Sequence, residues 1–329
     1  MKILNLEPSD YSEKAINIFL KIAQYKAFLV NSDDLNSQLI DANIIITRLK
    51  YFINDDFLQK TPKLKAIATA TTGLNHIDLR ATERRNIKIL SLKGENDFLS
   101  KITPTAELHW GLLLSVMRFI PQANHAVIKK KIWDRDSFQG NQLYGKTIGI
   151  IGYGRLGKII AKYAKVFGMT ILAFDRNVET LENKNDVKFV DLKTLLEKSD
   201  VVSIHLSLNE GSKNLLNKKM LLHIKKGAVL INTARGEVID EQALAELIYE
   251  NQIAAVATDV LTDEFSNSQN FLENNPLWQL ANQRKNIIIT PHIGGACPDA
   301  MRQTEEFIAE KVSHYILNEI DIKQNEEKN

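Results

Sequence analysis

The chain has 329 residues, of which 44% are hydrophobic and 25% charged, and its net charge is +2 at neutral pH. That length is about twice a typical single domain, so two domains are expected in a protein of ordinary globular composition. The near-balanced charge leaves no footprint for nucleic acid or an anionic membrane. The single cysteine, Cys297, excludes an internal disulfide and a cysteine-built metal site, and no metal is expected.

Residues 1–6 read as a strand and not as a signal peptide. Further β-branched runs lie at 28–30, 44–47, 64–70 and 87–90, with amphipathic helical patterns at 12–24, 34–41 and 54–60 between them. Strands alternating with helices predict a parallel sheet covered on both faces. Thr103 and Pro104 mark a helix start, and an apolar helix is expected over 105–118. Pro121 is expected to break it before a second helix at 124–131. Another alternating region then runs from Lys146 to Pro291, with apolar runs at 147–151, 170–174, 187–190, 201–206, 228–232, 254–258 and 286–290. A last helix is expected over 298–317, followed by a disordered tail at 324–329. No apolar stretch reaches the roughly 20 residues that span a bilayer, so a cytoplasmic protein without a membrane partner is expected.

The second region opens with Gly152-Tyr153-Gly154-Arg155-Leu156-Gly157, between a strand and a helix. In that context the glycines serve a dinucleotide. Gly152 makes the tight turn, Gly154 admits a pyrophosphate, and Gly157 lets helix and strand pack closely. The helix N-terminus suits the negative charge of a diphosphate. Asp175 ends the next strand about 20 residues further on, where a carboxylate accepts ribose hydroxyls and repels a 2′-phosphate. NAD is therefore favoured over NADP, although Arg176 directly follows.

Three more pieces each follow a strand: Thr233-Ala234-Arg235-Gly236, Asp259-Val-Leu-Thr-Asp-Glu264, and Pro291-His292-Ile-Gly294-Gly295. Together with the glycine turn, Thr71-Thr72-Gly73-Leu74 and Trp133, they resemble the D-isomer-specific 2-hydroxyacid dehydrogenases. Within that family the likeness is greatest to D-3-phosphoglycerate dehydrogenase catalytic regions. The resemblance covers the chain up to its polar tail.

It implies an α/β protein of two doubly wound parallel-sheet domains. A Rossmann NAD domain (103–294) is inserted into a flavodoxin-like substrate domain (1–102 and 295–329). It also implies hydride transfer between nicotinamide and C2 of a small D-2-hydroxy or 2-oxo acid, possible substrates including 3-phosphoglycerate, in a homodimer joined through 105–145. By this resemblance Arg235 holds the substrate carboxylate. His292 is the acid/base, and Glu264 orients it and stabilises its cation. Thr233, Ala234, Asp259, Gly294 and His205 line the cofactor, and Thr72, Gly73 and Leu74 hold the substrate carboxylate by backbone N–H groups. Arg48, and more weakly Lys50, match positions that meet the phosphate of phosphoglycerate enzymes, and both read equally well as ordinary surface cations.

The chain departs from the family pattern at Ser207 and Phe265, where proline is usual, and in a polar insertion at 266–284. It ends without room for a C-terminal regulatory domain, so feedback through one is not expected. Other readings within the resemblance are a phosphite- or formate-dehydrogenase type of enzyme and a cofactor-sensing corepressor-like scaffold. His76, near the substrate loop, is the remaining histidine to follow.

Overall fold

The computed structural model describes residues 1–28, 34–176, 186–265, 270–283 and 285–326, with 320–326 as backbone only. The chain forms two compact units, Met1–Ile102 with Cys297–Asn329, and Thr103–Ala296.

The first unit is built on β1 (Lys2–Asn5), β2 (Gln24–Ala27), β3 (Ile44–Thr47), β4 (Ala66–Thr69) and β5 (Lys88–Leu90). All pair in parallel, in the order β2-β1-β3-β4-β5. Strand period decides which core each side chain joins. Ile44 and Ile46 pack with Phe19, Ile308 and Val312 of helices Glu13–Ile22 and Pro298–Glu326. Ile45 points to the opposite face, with Leu39, Leu58 and Ala81 from helices Leu35–Leu39, Asp55–Gln59 and Leu79–Arg84. Ser12, Asp34, Asn54 and Asp78 cap the four N-terminal helices with their side-chain oxygens.

The second unit carries β6 (Thr147–Ile151), β7 (Thr170–Phe174), β8 (Val187–Phe189), β9 (Val201–Ile204), β10 (Ala228–Asn232), β11 (Ile253–Thr258) and β12 (Ile287–Ile289). These also pair in parallel, in the order β12-β11-β10-β9-β6-β7-β8. One face packs Ile148, Ile150 and Ile231 against Trp110 and Leu113 of helix Pro104–Met117 and Ile160 of helix Arg155–Val166. The other packs Ile151, Val202 and Leu230 against Leu195, Leu244 and Leu277. Both sheets are thus doubly wound.

Three expectations need correction. The second strand is Gln24–Ala27, ahead of the run expected at 28–30; Phe28 follows it, and 29–30 lie outside the described residues. Ala23 turns extended at the helix end, and β2 is an edge strand, which needs no apolar run. The break between the two long helices is Phe119, held left-handed at φ 53°, while Pro121 lies in the first turn of helix Ile120–Lys130 and starts it. The last helix continues through 324–326; the expected disorder at 327–329 falls outside the described residues. Within the polar insertion, Phe271–Asn274 and Pro276–Asn282 are helical, and 266–269 and 284 lie outside the described residues.

Candidate active site

In a doubly wound sheet the strand order reverses at one point, and ligands gather beyond the carboxyl ends of the strands there. In the second unit this point lies between β6 and β9. Gly152 follows β6 with φ +93°, and a Cβ on it would lie 2.6 Å from the His205 carbonyl oxygen. A Cβ on Gly157 would meet the Gly152 carbonyl oxygen at 2.2 Å. Both positions therefore exclude any side chain. Gly154 instead faces open space and is the N-cap of helix Arg155–Val166, whose first amides receive no side-chain cap. Those amides and that space fit a diphosphate. Tyr153 and Leu156 pack on the apolar core beside β6, and burial pushes the Arg155 pKa down. Asp175, at the end of β7, accepts the Tyr153 backbone N–H at 2.8 Å, which places a carboxylate beside the glycine turn. The Thr233 hydroxyl oxygen is buried at the end of β10 without a protein partner. These residues together fit NAD.

The remaining motif residues occupy the carboxyl edge of the same sheet. At the end of β10, the Asn232 side chain accepts the Ala234 N–H at 3.0 Å and donates to the Arg235 carbonyl at 2.9 Å. This clamp fixes the turn that carries Arg235. Burial lowers the Arg235 pKa, and the nearby carboxylates of Glu264 and Glu237 oppose that shift. A Cβ on Gly236 would fall 2.2 Å from the backbone of Leu261 and Thr262. The arginine turn and the segment carrying Glu264 therefore lie backbone against backbone.

Asp259, after β11, organises the histidine. Its Oδ1 accepts the Thr290 hydroxyl at 2.6 Å and the Ile293 N–H at 2.8 Å, and its Oδ2 accepts the Gly294 N–H at 2.7 Å. Its backbone carbonyl accepts the His292 N–H at 2.9 Å. These bonds hold His292 in the left-handed region, at φ 54°, where a non-glycine residue is kept only by surrounding structure. Burial raises the Asp259 pKa, against the lowering effect of the bonds it accepts. The His292 Nδ1 lies 2.8 Å from Glu264 Oε1, with the two side chains 23% and 12% exposed. The ring keeps limited access to solvent while one nitrogen is committed. The Phe265 ring lies 5.9 Å from the imidazole, centroid to centroid.

In the first unit the order reverses between β1 and β3. Thr71, after β4, donates its hydroxyl to the Gly73 carbonyl at 2.8 Å, Thr72 is exposed, and Leu74 packs on the core. Arg48, after β3, donates its Nε to Glu305 Oε1 at 3.1 Å and its Nη1 to the Ser9 carbonyl at 3.0 Å. His76 is buried, 1% exposed, and its backbone carbonyl accepts the Ile53 N–H.

Sequence reasoning missed Asn232, Glu237 and Glu241. Glu241 is buried and accepts the Thr262 N–H at 2.9 Å and the Asn275 side-chain amide at 2.6 Å. A polar residue closing an apolar strand, as at Asn232, is the one signal available.

The profile of the D-isomer specific 2-hydroxyacid dehydrogenase NAD binding domain matches residues 110–294. A hydroxypyruvate reductase of Thermotoga maritima is 32% identical over 86% of this chain and 88% of its own. A D-3-phosphoglycerate dehydrogenase of Methanocaldococcus jannaschii is 32% identical over 97% of this chain, which spans 58% of that relative's length. Among solved structures, an acyclic imino acid reductase in complex with NADPH and D-Arg superposes with a TM-score of 0.80 at 27% identity, covering 97% of this chain and 98% of the other. The chain belongs to the D-isomer specific 2-hydroxyacid dehydrogenase family, and the segment matched is that family's NAD-binding domain.

Proposed function

We propose that the chain is an NAD-dependent oxidoreductase acting at C2 of a small D-2-hydroxy or 2-oxo acid. The observation that carries this reading is the His292–Glu264 pair at 2.8 Å, on the same sheet edge as half-buried Arg235. When bound, the nicotinamide supplies the hydride in reduction and takes it in oxidation. Arg235 binds the substrate carboxylate through its guanidinium fork, and its burial strengthens that pairing. With Nδ1 held by Glu264, His292 offers Nε2 to the C2 oxygen. In reduction Nε2 gives its proton to that oxygen as hydride reaches C2, and in oxidation it takes the proton back. Glu264 keeps one tautomer in place and balances the imidazolium charge.

A formate dehydrogenase of Staphylococcus aureus in complex with NAD has the same fold at 25% identity. Formate oxidation releases no hydroxyl proton, so it has no use for the acid/base pair described here. The relatives named hydroxypyruvate reductase and glyoxylate reductase (the latter from Thermococcus litoralis) support a short 2-oxo acid as substrate. The position of Asp175 supports NAD. The apolar side chains exposed along Ile120–Lys130 and beyond, Ile128, Trp133 and Tyr144 among them, support a homodimer. No helix among the described residues is long and apolar enough to cross a membrane, and we place the protein in the cytoplasm.

The test is NADH oxidation, followed by absorbance, with glyoxylate, hydroxypyruvate, 3-phosphohydroxypyruvate and 2-oxoglutarate. At least one should react. His292→Ala should abolish turnover, and Glu264→Gln should lower kcat by about a hundredfold, the usual worth of an acid/base contribution. Tight NADH binding with no turnover of any 2-oxo acid would overturn the reading in favour of a cofactor-sensing scaffold.

A further inference from the structure

The turn that carries Glu264 does not hold its own shape. Asp263, directly before it, is left-handed at φ 61°, a conformation that a residue with a side chain keeps only under constraint from its surroundings. The hydrogen bond closing the turn, from the Glu264 N–H to the Leu261 carbonyl, is long at 3.4 Å. A shorter bond comes from outside. Glu241 accepts the Thr262 N–H with Oε1 at 2.9 Å and the Asn275 side-chain amide with Oε2 at 2.6 Å. Both side chains are buried. Asn275 cannot turn its amide round, because its Oδ1 is taken by the N–H groups of Leu277 and Trp278 at 3.0 and 3.2 Å. Position 241 therefore faces two donors and calls for two acceptors, which a carboxylate supplies. Glu241 is also fixed at its root, since it opens helix Glu241–Tyr249, whose Leu244 and Ile248 lie in the core.

We infer that Glu241 is a positioning residue, which holds the Asp263 turn in the shape that sets Glu264 against His292. Its effect on the reaction rests on the dehydrogenase reading. Glu241 acts through the backbone at Thr262, two residues before Glu264, and not on substrate or cofactor. A protonated acid or an amide at 241 must turn a donor toward Thr262 or toward Asn275. A buried donor set against a donor forfeits its bond and is left desolvated. The turn then relaxes, Glu264 leaves Nδ1 of His292, and the ring loses the partner that fixes its tautomer. The glycine turn after β6 is untouched, so cofactor binding is spared.

The experiment compares the wild type, Glu241→Gln, and the double variant Glu241→Gln with Asn275→Asp. In the double variant the amide at 241 donates to the carboxylate at 275, whose other oxygen still caps the helix, so the bond returns with its direction reversed. Glu241→Gln should lower kcat at least about tenfold with NADH and a 2-oxo acid, and leave NADH affinity unchanged. Hydrogen exchange at the Thr262 amide should quicken about tenfold, the worth of one hydrogen bond. The double variant should restore both. An unchanged kcat in folded Glu241→Gln overturns the inference, as does an equal loss of NADH affinity or a double variant no better than the single one. If Glu241→Gln does not fold, Asn275→Ser keeps a capping oxygen and removes the donor; it should show the same loss of kcat, and an unchanged kcat there overturns the inference. If the wild type reduces no 2-oxo acid, the dehydrogenase reading fails separately, and exchange at Thr262 decides. Faster exchange in Glu241→Gln, reversed in the double variant, supports the inference, and unchanged exchange overturns it.

Discussion

Ser203 has one hydroxyl proton and two imidazole neighbours, His109 Nε2 at 2.7 Å and His205 Nε2 at 2.6 Å. The hydroxyl can donate to one ring and must accept from the other, so the triplet is satisfied when both histidines are neutral. Burial pushes His205 down from 6.5 to about 3, and it holds His109 well below its ordinary value, with His205 adding to that shift. The sign of the linkage follows. The unfolded chain takes up protons at these histidines below pH 6.5, whereas burial in the native state resists that uptake, at His205 until about pH 3. Stability contributed by the neutral pair is therefore full at neutral pH and is lost as pH falls, by up to about 1.4 kcal/mol per pH unit for each histidine. The urea midpoint should drop steadily between pH 7 and pH 5, above the range where ordinary carboxylates titrate. His205→Asn should flatten that slope by about half, since one of two titrating groups is gone. A midpoint independent of pH over this window would show that the pair is not held neutral.

Two loops, after β10 and β11, meet where Gly236 lies against Leu261 and Thr262. Glu241 then ties Thr262 to Asn275, whose Oδ1 caps helix Pro276–Asn282. The arginine turn, the Glu264 segment and part of the polar insertion are in this way fastened to one helix start. A side chain on Gly236 must push the loops apart, whereas the glycine turn after β6 is untouched. Gly236→Ala should therefore lower kcat by about a hundredfold, the usual cost of displacing a catalytic group by about 1 Å. NADH affinity, read by fluorescence titration, should change much less. Equal losses in both would mean that the substitution had disturbed the whole sheet. Much of this element-level order is legible in the sequence, because apolar period and glycine spacing are local properties of the chain. The edge strand β2 is not, since its polar residues Gln24 and Lys26 look like the end of the preceding helix. Its strand conformation comes from pairing with β1, at Lys2↔Gln24 and Leu4↔Lys26.

Each of the two units covers both faces of its own sheet, so neither needs a neighbour to complete its core. Exposed apolar residues are scattered over both units, Val166 and Tyr249 among them, and several lie close together in the segment after the first long helix. Trp133 is 91% exposed, Tyr144 74% and Ile128 65%, and apolar groups concentrated on one segment mark an association surface. A dimer is expected by sedimentation equilibrium at micromolar concentration. Trp133→Asp should shift it toward monomer, and a wild-type monomer under those conditions would refute the homodimer proposal.

The sequence by itself determined the alternation of strand and helix in both units and the glycine turn, and it marked Arg235, Glu264 and His292 as candidates, because each depends on residue type at short or ordered spacing. The tertiary structure alone decided what those residues lean on. Asn232 and Glu241 are ordinary polar letters until folding buries them beside the site. Arg48 reads as a free cation until the last helix brings Glu305, 257 positions away, against it. The physical reason is the same in each case. Charge and hydrogen-bonding capacity belong to the residue, but whether they are available to a ligand depends on partners that only the folded chain supplies.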